Sequence, residues 1–232
     1  MAAMKLAIAC LASAGCFIAP GPPNRVPPDG TPTAIAWRKS FAYAVVNSAN
    51  PSFQITPYAV GDLMLFQVSC DGSFPSTTVS LSAPGWDFVQ VGATFTTPGN
   101  TPWAANYTAT VPSTDSVTVT AAWSKPNCTP GSVILGDEFA NAVVDVLVGS
   151  GANQACSATV ETGAVDDAVW AACSGGSLPG VGSGYTPGAN DGNGDLSEYK
   201  LTADPAGTGE LAAFPNGTQS YVMSAATLHP TP

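Results

Sequence analysis

Thr114-Asp115-Ser116-Val117-Thr118-Val119-Thr120-Ala121-Ala122-Trp123 is the stretch whose reading decides the fold. Side chains alternate along an extended chain, so Val117, Val119, Ala121 and Trp123 share one face while Thr118 and Thr120 take the other. One face is core and the other meets solvent. Outward from it, short runs rich in Val, Thr, Phe, Tyr and Trp recur at 41–46, 62–69, 88–96, 103–109, 133–139, 158–161, 168–173, 196–201, 209–214 and 221–228, separated by Gly, Pro, Asn and Asp. That punctuation predicts about ten to twelve strands and no helix beyond the N-terminal segment. The expected fold is all-β, a two-sheet antiparallel β-sandwich of jelly-roll type, filling 34–232 as one domain.

Composition agrees with that reading. Charged residues make up 9% of the chain, against 24 Gly and 21 Pro, which is too apolar for a disordered tail and too rich in turn formers for a helical bundle. A net charge of −10 without a Lys/Arg stripe argues against nucleic acid and anionic membrane surfaces as partners.

Residues 1–19 have the layout of a signal peptide: Lys5, then the apolar run Leu6-Ala7-Ile8-Ala9-Cys10-Leu11-Ala12, then small residues. The apolar run is too short to span a bilayer. Ala12-Ser13-Ala14 offers an ordinary cleavage site, whereas Ser13-Ala14-Gly15-Cys16 resembles a lipoprotein lipobox, with Ser13 where that pattern has Leu. In the second case Cys16 is the lipidated residue and the sole membrane anchor. A buried N-terminal helix is the competing reading, and the Pro-rich linker at 20–33 opposes it because it cannot continue a helix. Export places the chain in an extracellular, periplasmic or cell-surface setting. There Cys70, Cys128, Cys156 and Cys173 form two disulfides, Cys70–Cys128 and Cys156–Cys173 being favoured among three connectivities. A four-cysteine zinc site would need C-x2-C pairs, and the sequence has none.

The pieces Ala59-Val60-Gly61-Asp62-Leu63-Met64-Leu65-Phe66, Pro84-Gly85-Trp86, Ser116-Val117-Thr118-Val119-Thr120, the strand at 134–140 and the closing Leu228-His229-Pro230 carry a resemblance. The chain resembles β-sandwich modules of secreted bacterial proteins and of minor tail proteins of phages infecting actinobacteria. The resemblance implies a display, adhesion or structural unit and transfers no catalytic residue.

Candidate chemistry is sparse. The one histidine, His229, stands within the last four residues and before a proline, a poor position for the ordered imidazole that nucleophilic catalysis needs. A hydrolase reading rests on strand carboxylates among Asp137, Glu138, Glu161, Glu198 and Glu210, which must come from different strands and stand about 5 to 9 Å apart. Asp191, Asn193 and Asp195, with Glu198 beyond, alternate oxygen ligands as a calcium loop does, the one cofactor the sequence suggests. The same residues serve equally as a hairpin turn. Trp86, Trp103, Tyr107 and Tyr185 are candidates for stacking on a glycan, or else core anchors. Asn106, Asn127 and Asn216 head N-glycosylation sequons.

Three functions follow. The first is a non-catalytic secreted or surface β-sandwich for adhesion, display or glycan binding, partnered by a cell-surface glycan or protein. The second is a structural module of a phage tail or extracellular assembly, and the third a glycan-active hydrolase. Oligomeric state is not written in these patterns.

Overall fold

The computed structural model describes residues 33–45, 50–70, 78–96, 103–124, 132–152, 156–164, 166–175, 180–202, 209–214 and 221–231. Strands occupy most of these residues and no helix is present among them. The first half contains β1 (Ala36–Val45), β2 (Ser52–Ile55), β3 (Leu63–Cys70), β4 (Val79–Ser82), β5 (Val89–Thr96), β6 (Trp103–Thr110), β7 (Val117–Trp123) and β8 (Ser132–Ala140). The second contains β9 (Ala142–Ala152), β10 (Cys156–Glu161), β11 (Ala168–Ser174), β12 (Thr186–Asn190), β13 (Leu196–Lys200), β14 (Gly209–Phe214) and β15 (Tyr221–Pro230).

These strands make four antiparallel sheets, ordered β2-β7-β4, β1-β8-β3-β6-β5, β12-β13-β11-β15-β9 and β10-β14. Three cores separate them. Val119, Ala121 and Trp123 of β7 bury against Met64, Phe66 and Val68 of β3 between the first two sheets, as the alternation of 117–123 requires. Leu63, Leu65, Leu135 and Phe139 then meet Ala168, Trp170, Ala226 and Leu228 between the two five-stranded sheets. Val169, Ala171, Met223 and Ala225 meet Val160, Ala212 and Phe214 in the third core. The order is therefore a stack of four layers, with five-stranded sheets inside.

β3 and β11 are buried along their whole length. Both faces of an inner sheet are covered, which is why neither strand alternates with polar, solvent-facing residues. The polar Gln67 and Ser69 of β3 are buried and hydrogen-bonded, Gln67 to Ala172 O and Ser224 across the two five-stranded sheets.

The antiparallel all-β sandwich architecture matches the expectation from sequence. Among the described residues the strands number fifteen and the sheets four, where about ten to twelve strands in two sheets are expected from punctuation alone. The unanticipated strands are β2, β4, β9 and β12. β2, β4 and β12 are short, and β9 follows β8 through Asn141 alone, whose φ of 55° supplies the turn without Gly or Pro.

The two halves repeat one another. In the inner sheets the order β1-β8-β3-β6-β5 is matched by β9-β15-β11-β13-β12, and in the outer sheets β2-β7 by β10-β14. Among the described residues nothing in the second half takes the place of β4. The registers also correspond: Leu63 pairs with Phe139 and Met64 with Glu138, as Ala168 pairs with Leu228 and Val169 with Thr227. Each first strand carries one β-bulge at the equivalent place, Arg38 in β1 and Asp145 in β9. The fifth strand is entered through the same turn in both halves. Trp86 N–H donates to Ala83 O at 3.2 Å with Gly85 at φ 77°, and Tyr185 N–H donates to Gly182 O at 3.1 Å with Gly184 at φ 83°. A positive φ at the third turn residue is what favours glycine there.

Cys156 and Cys173 form a disulfide from β10 to β11, joining the outer sheet to the inner across the third core, with Cα atoms 6.3 Å apart. Cys70 is also disulfide-bonded. Cys128 lies outside the described residues, as do Cys10, Cys16 and the whole of 1–32.

Candidate functional site

The chain enters the third strand of each half through a corner ending in an aspartate, Asp62 or Asp167. Its amide donates to Ala59 O at 3.4 Å in one half and to Ala164 O at 3.3 Å in the other. Two amides at each corner are left without a sheet partner and need an acceptor. Glu138 of β8 supplies it in the first half, accepting from Tyr58 N–H at 2.7 Å and Ala59 N–H at 3.1 Å. In the second half Asp167 Oδ2 accepts from Gly163 and Ala164 N–H at 2.7 and 2.8 Å, and Thr227 stands where Glu138 would be.

Each corner aspartate also takes a basic side chain. Arg38 Nε lies 3.3 Å from Asp62 Oδ2, with its guanidinium over the Tyr58 ring at 4.9 Å. Asp167 Oδ1 instead bonds His229 Nδ1, while His229 Nε2 lies 3.1 Å from Asp145 Oδ2. Burial raises the Asp62 carboxyl above its ordinary range although Arg38 opposes the rise. For His229 burial works against the proton, but the hydrogen bond and charge of Asp167, then those of Asp145, outweigh it and raise the imidazole.

Asp137 is fully buried between the five-stranded sheets. Its Oδ2 accepts from Trp170 Nε1 at 2.7 Å and Ser197 Oγ at 2.5 Å, and its Oδ1 accepts from Trp37 Nε1 at 3.3 Å and from Ser40 Oγ. Four donors fill the lone pairs of a carboxylate. Burial raises its carboxyl, and the four donors oppose the rise. A Cβ on Gly188 would stand 2.7 Å from Asp137 Oδ1, so the β12 backbone closes over it.

Glu198 and Glu210 share the third core. Glu198 Oε2 accepts from Gly182 N–H at 2.6 Å, and burial pushes its carboxyl up to about 7 against the backbone of Gly182 and Ala213. Glu210 Oε1 takes Lys200 Nζ at 2.8 Å and Tyr185 Oη at 3.4 Å. Neither acid is open to solvent, with Glu198 0% and Glu210 5% exposed. By register Glu198 occupies the position of Tyr107, whose hydroxyl donates to Val79 O of β4 in the first half. Where β4 has no described counterpart, a carboxylate reads the Gly182 amide instead.

The remaining sequence candidates do not converge on one site. Glu138 and Glu198 do not form a pair: Glu138 reaches the corner at 58–59 and Glu198 lies in the third core, so both five-stranded sheets stand between them. Glu161 is exposed at the end of β10. Asp191 Oδ1 accepts from the amides of Asn193, Gly194 and Asp195 at 2.8, 3.2 and 3.1 Å, making the segment an Asx-type turn with Gly192 at φ 80°. Asp195 Oδ1 accepts from Gly175 N–H at 2.9 Å, and Glu198 is directed away from the turn. No group of three His, Cys, Asp or Glu arranged for a metal occurs among the described residues.

Trp103, 1% exposed and edge-on to Trp123 at 5.4 Å, and Tyr107 are interior residues of the first core, out of reach of a sugar ring. Tyr185 is buried in the third core. Trp86 is half-buried at its turn and stacks on Phe88 at 5.6 Å. Asn106 is 0% exposed in β6, so the folded chain cannot present it for glycosylation, and Asn127 and Asn216 lie outside the described residues.

Sequence reasoning missed the ion cluster around His229. Proximity to the terminus suggests an unanchored ring, yet β15 runs to Pro230 and sets His229 between two carboxylates. Asp166-Asp167 directly before an apolar run, echoing Gly61-Asp62, is the one trace of it in the sequence.

Comparison of the chain with protein-family models, with curated proteins and with solved structures finds no match.

Proposed function

We propose that the chain is a non-catalytic β module acting outside the cytosol in adhesion or display. One observation carries this reading: the buried acids, four of the five strand carboxylates considered for hydrolysis together with Asp167, serve the fold, and Glu161 stands exposed without a second acid paired to it among the described residues. Glu138 holds a corner, Asp137 joins the two halves, Glu198 and Glu210 lie inside a core, and Asp167 binds His229. A glycosidase needs two carboxylates facing one accessible cleft. Interior acids with intramolecular donors do not meet that need. The disulfide Cys156–Cys173 supports an oxidising compartment.

Jelly-roll connectivity is part of the proposal. The first strand beside the last, the third beside the last and the second beside the seventh, as in β1-β8-β3 and β2-β7, favour it in the first half, and β9-β15-β11 with β10-β14 in the second. The resulting stack offers exposed side chains at Tyr58, Val89 and Leu211 for contact with a partner. A glycan array and a cell-wall pull-down with the disulfide-intact chain test the adhesive role. Saturable binding that survives Glu198→Gln is expected, and silence on both at about millimolar ligand overturns it.

A further inference from the structure

We propose that the second half carries a pH-gated clasp: protonated His229, held between Asp145 and Asp167, ties the edge strand β9 and the corner before β11 to the last strand, and loss of its proton releases that tie. Asp145 is the bulged residue of β9, His229 lies near the end of β15, and Asp167 ends the corner, so one imidazole spans three elements. Its two nitrogens face different carboxylates, at Nδ1 to Asp167 and at Nε2 to Asp145. A neutral imidazole donates from one nitrogen only, so one of the two contacts loses its hydrogen bond and both lose their charge.

Of the surrounding acids, Asp167 and Asp145 favour the cation. The charged groups on the elements packed around the ring are Asp145 on β9, Glu161 at the end of β10 and Asp166 and Asp167 before β11, all acidic. Gly163 leaves room for the ring, since a Cβ there would come within 3.1 Å of His229 Cε1. The equivalent residue in the first half is Tyr58, and its clasp is Arg38 on Asp62. Arginine stays charged at every physiological pH, so one half is fastened permanently and the other conditionally. Since Asp167 also holds the Gly163 and Ala164 amides, loss of the imidazolium charge beside it weakens the anchor of that corner.

The sign is fixed by linkage. The folded-state pKa of His229 is raised above its ordinary 6.5, so the clasp is complete below that value and is lost as pH climbs through the folded-state value.

Because His229 is the chain's one histidine, its imidazole signals in NMR report the clasp directly. The ring is expected to titrate above 6.5, and Asp145→Asn to bring the midpoint down; a midpoint at or below 6.5, or one indifferent to Asp145→Asn, overturns the proposal. The second arm uses a Glu198→Gln background to remove the carboxyl that titrates near 7. There the exchange protection of the Gly163 and Ala164 amides should fall between about pH 6 and about pH 9. Asp145→Arg with His229→Ala, which copies the Arg38 and Ala140 arrangement of the first half, should abolish that fall. An equal fall in the variant, or none in the parent, contradicts the clasp.

Discussion

Trp170 at the centre of the second half donates its indole N–H to Asp137 of the first half at 2.7 Å, so a buried carboxylate joins the two repeats. Trp37, Ser40 and Ser197 complete its donors. Asp137→Ala leaves the buried Trp170 indole and Ser197 hydroxyl without their acceptor in the shared core and should cost about 3–5 kcal/mol in urea unfolding, whereas Asp137→Leu should cost no more than the alanine. A loss under about 1 kcal/mol for Asp137→Ala would place the joint elsewhere.

Stability should fall as pH rises. Burial lifts the Glu198 carboxyl to about 7, and the same cause lifts Asp62, Asp137 and Glu138. A carboxyl raised by folding contributes stability that is complete below its unfolded value near 4.5 and is lost as pH passes the folded value. For Glu198 alone that is about 3 kcal/mol between about pH 4 and about pH 8. Urea midpoints across that range should decline, and Glu198→Gln should flatten the decline; an unchanged slope in the variant would contradict the assignment.

Reduction of Cys156–Cys173 should lower stability by about 3 kcal/mol, the loss expected for a loop closed over a sequence separation of 17. Cys156→Ala with Cys173→Ala isolates this bridge from the one involving Cys70. Chemical denaturation with and without the pair is the measurement, and equal midpoints would show that the packing of β10 on β11 suffices.

Chelation should leave the melting temperature unchanged. Asp191 already spends Oδ1 on three amides and Asp195 spends Oδ1 on Gly175, so the turn is held without an ion. A calcium-dependent rise in Tm, reversed by EDTA, would instead support the calcium reading, because a ligand of the folded state alone must stabilise it.

Much of the fold is legible in the sequence because burial writes its own pattern. The alternation at 117–123 marks a strand with one covered face, whereas the double burial of β3 and β11 is not legible, because Gln67 and Ser69 interrupt the apolar run of β3 and two sheets are expected where four stack. The duplication is not legible, because the equivalent positions share register and seldom side chains: Tyr107 answers Glu198, Arg38 answers Asp145 and Phe139 answers Leu228. Backbone pairing constrains those sites, and many residues satisfy it. The acids were visible as acids, but their partners are remote, Glu138 lying 80 residues from the Tyr58 amide it accepts. Whether such a group serves a fold or a substrate is decided by contacts that pattern does not encode. The His229 cluster hides for the same reason, since its carboxylates come from β9 and the corner before β11.

Product release from a panel of polysaccharides tests the central claim, that the acids of this molecule serve its architecture, most directly. Wild type is expected to release nothing above the buffer blank, even after prolonged incubation at about pH 5 to about pH 8 where Glu198 passes from protonated to ionised. Hydrolysis by wild type that disappears in Glu198→Gln or Glu210→Gln, with the variants still folded, would contradict it.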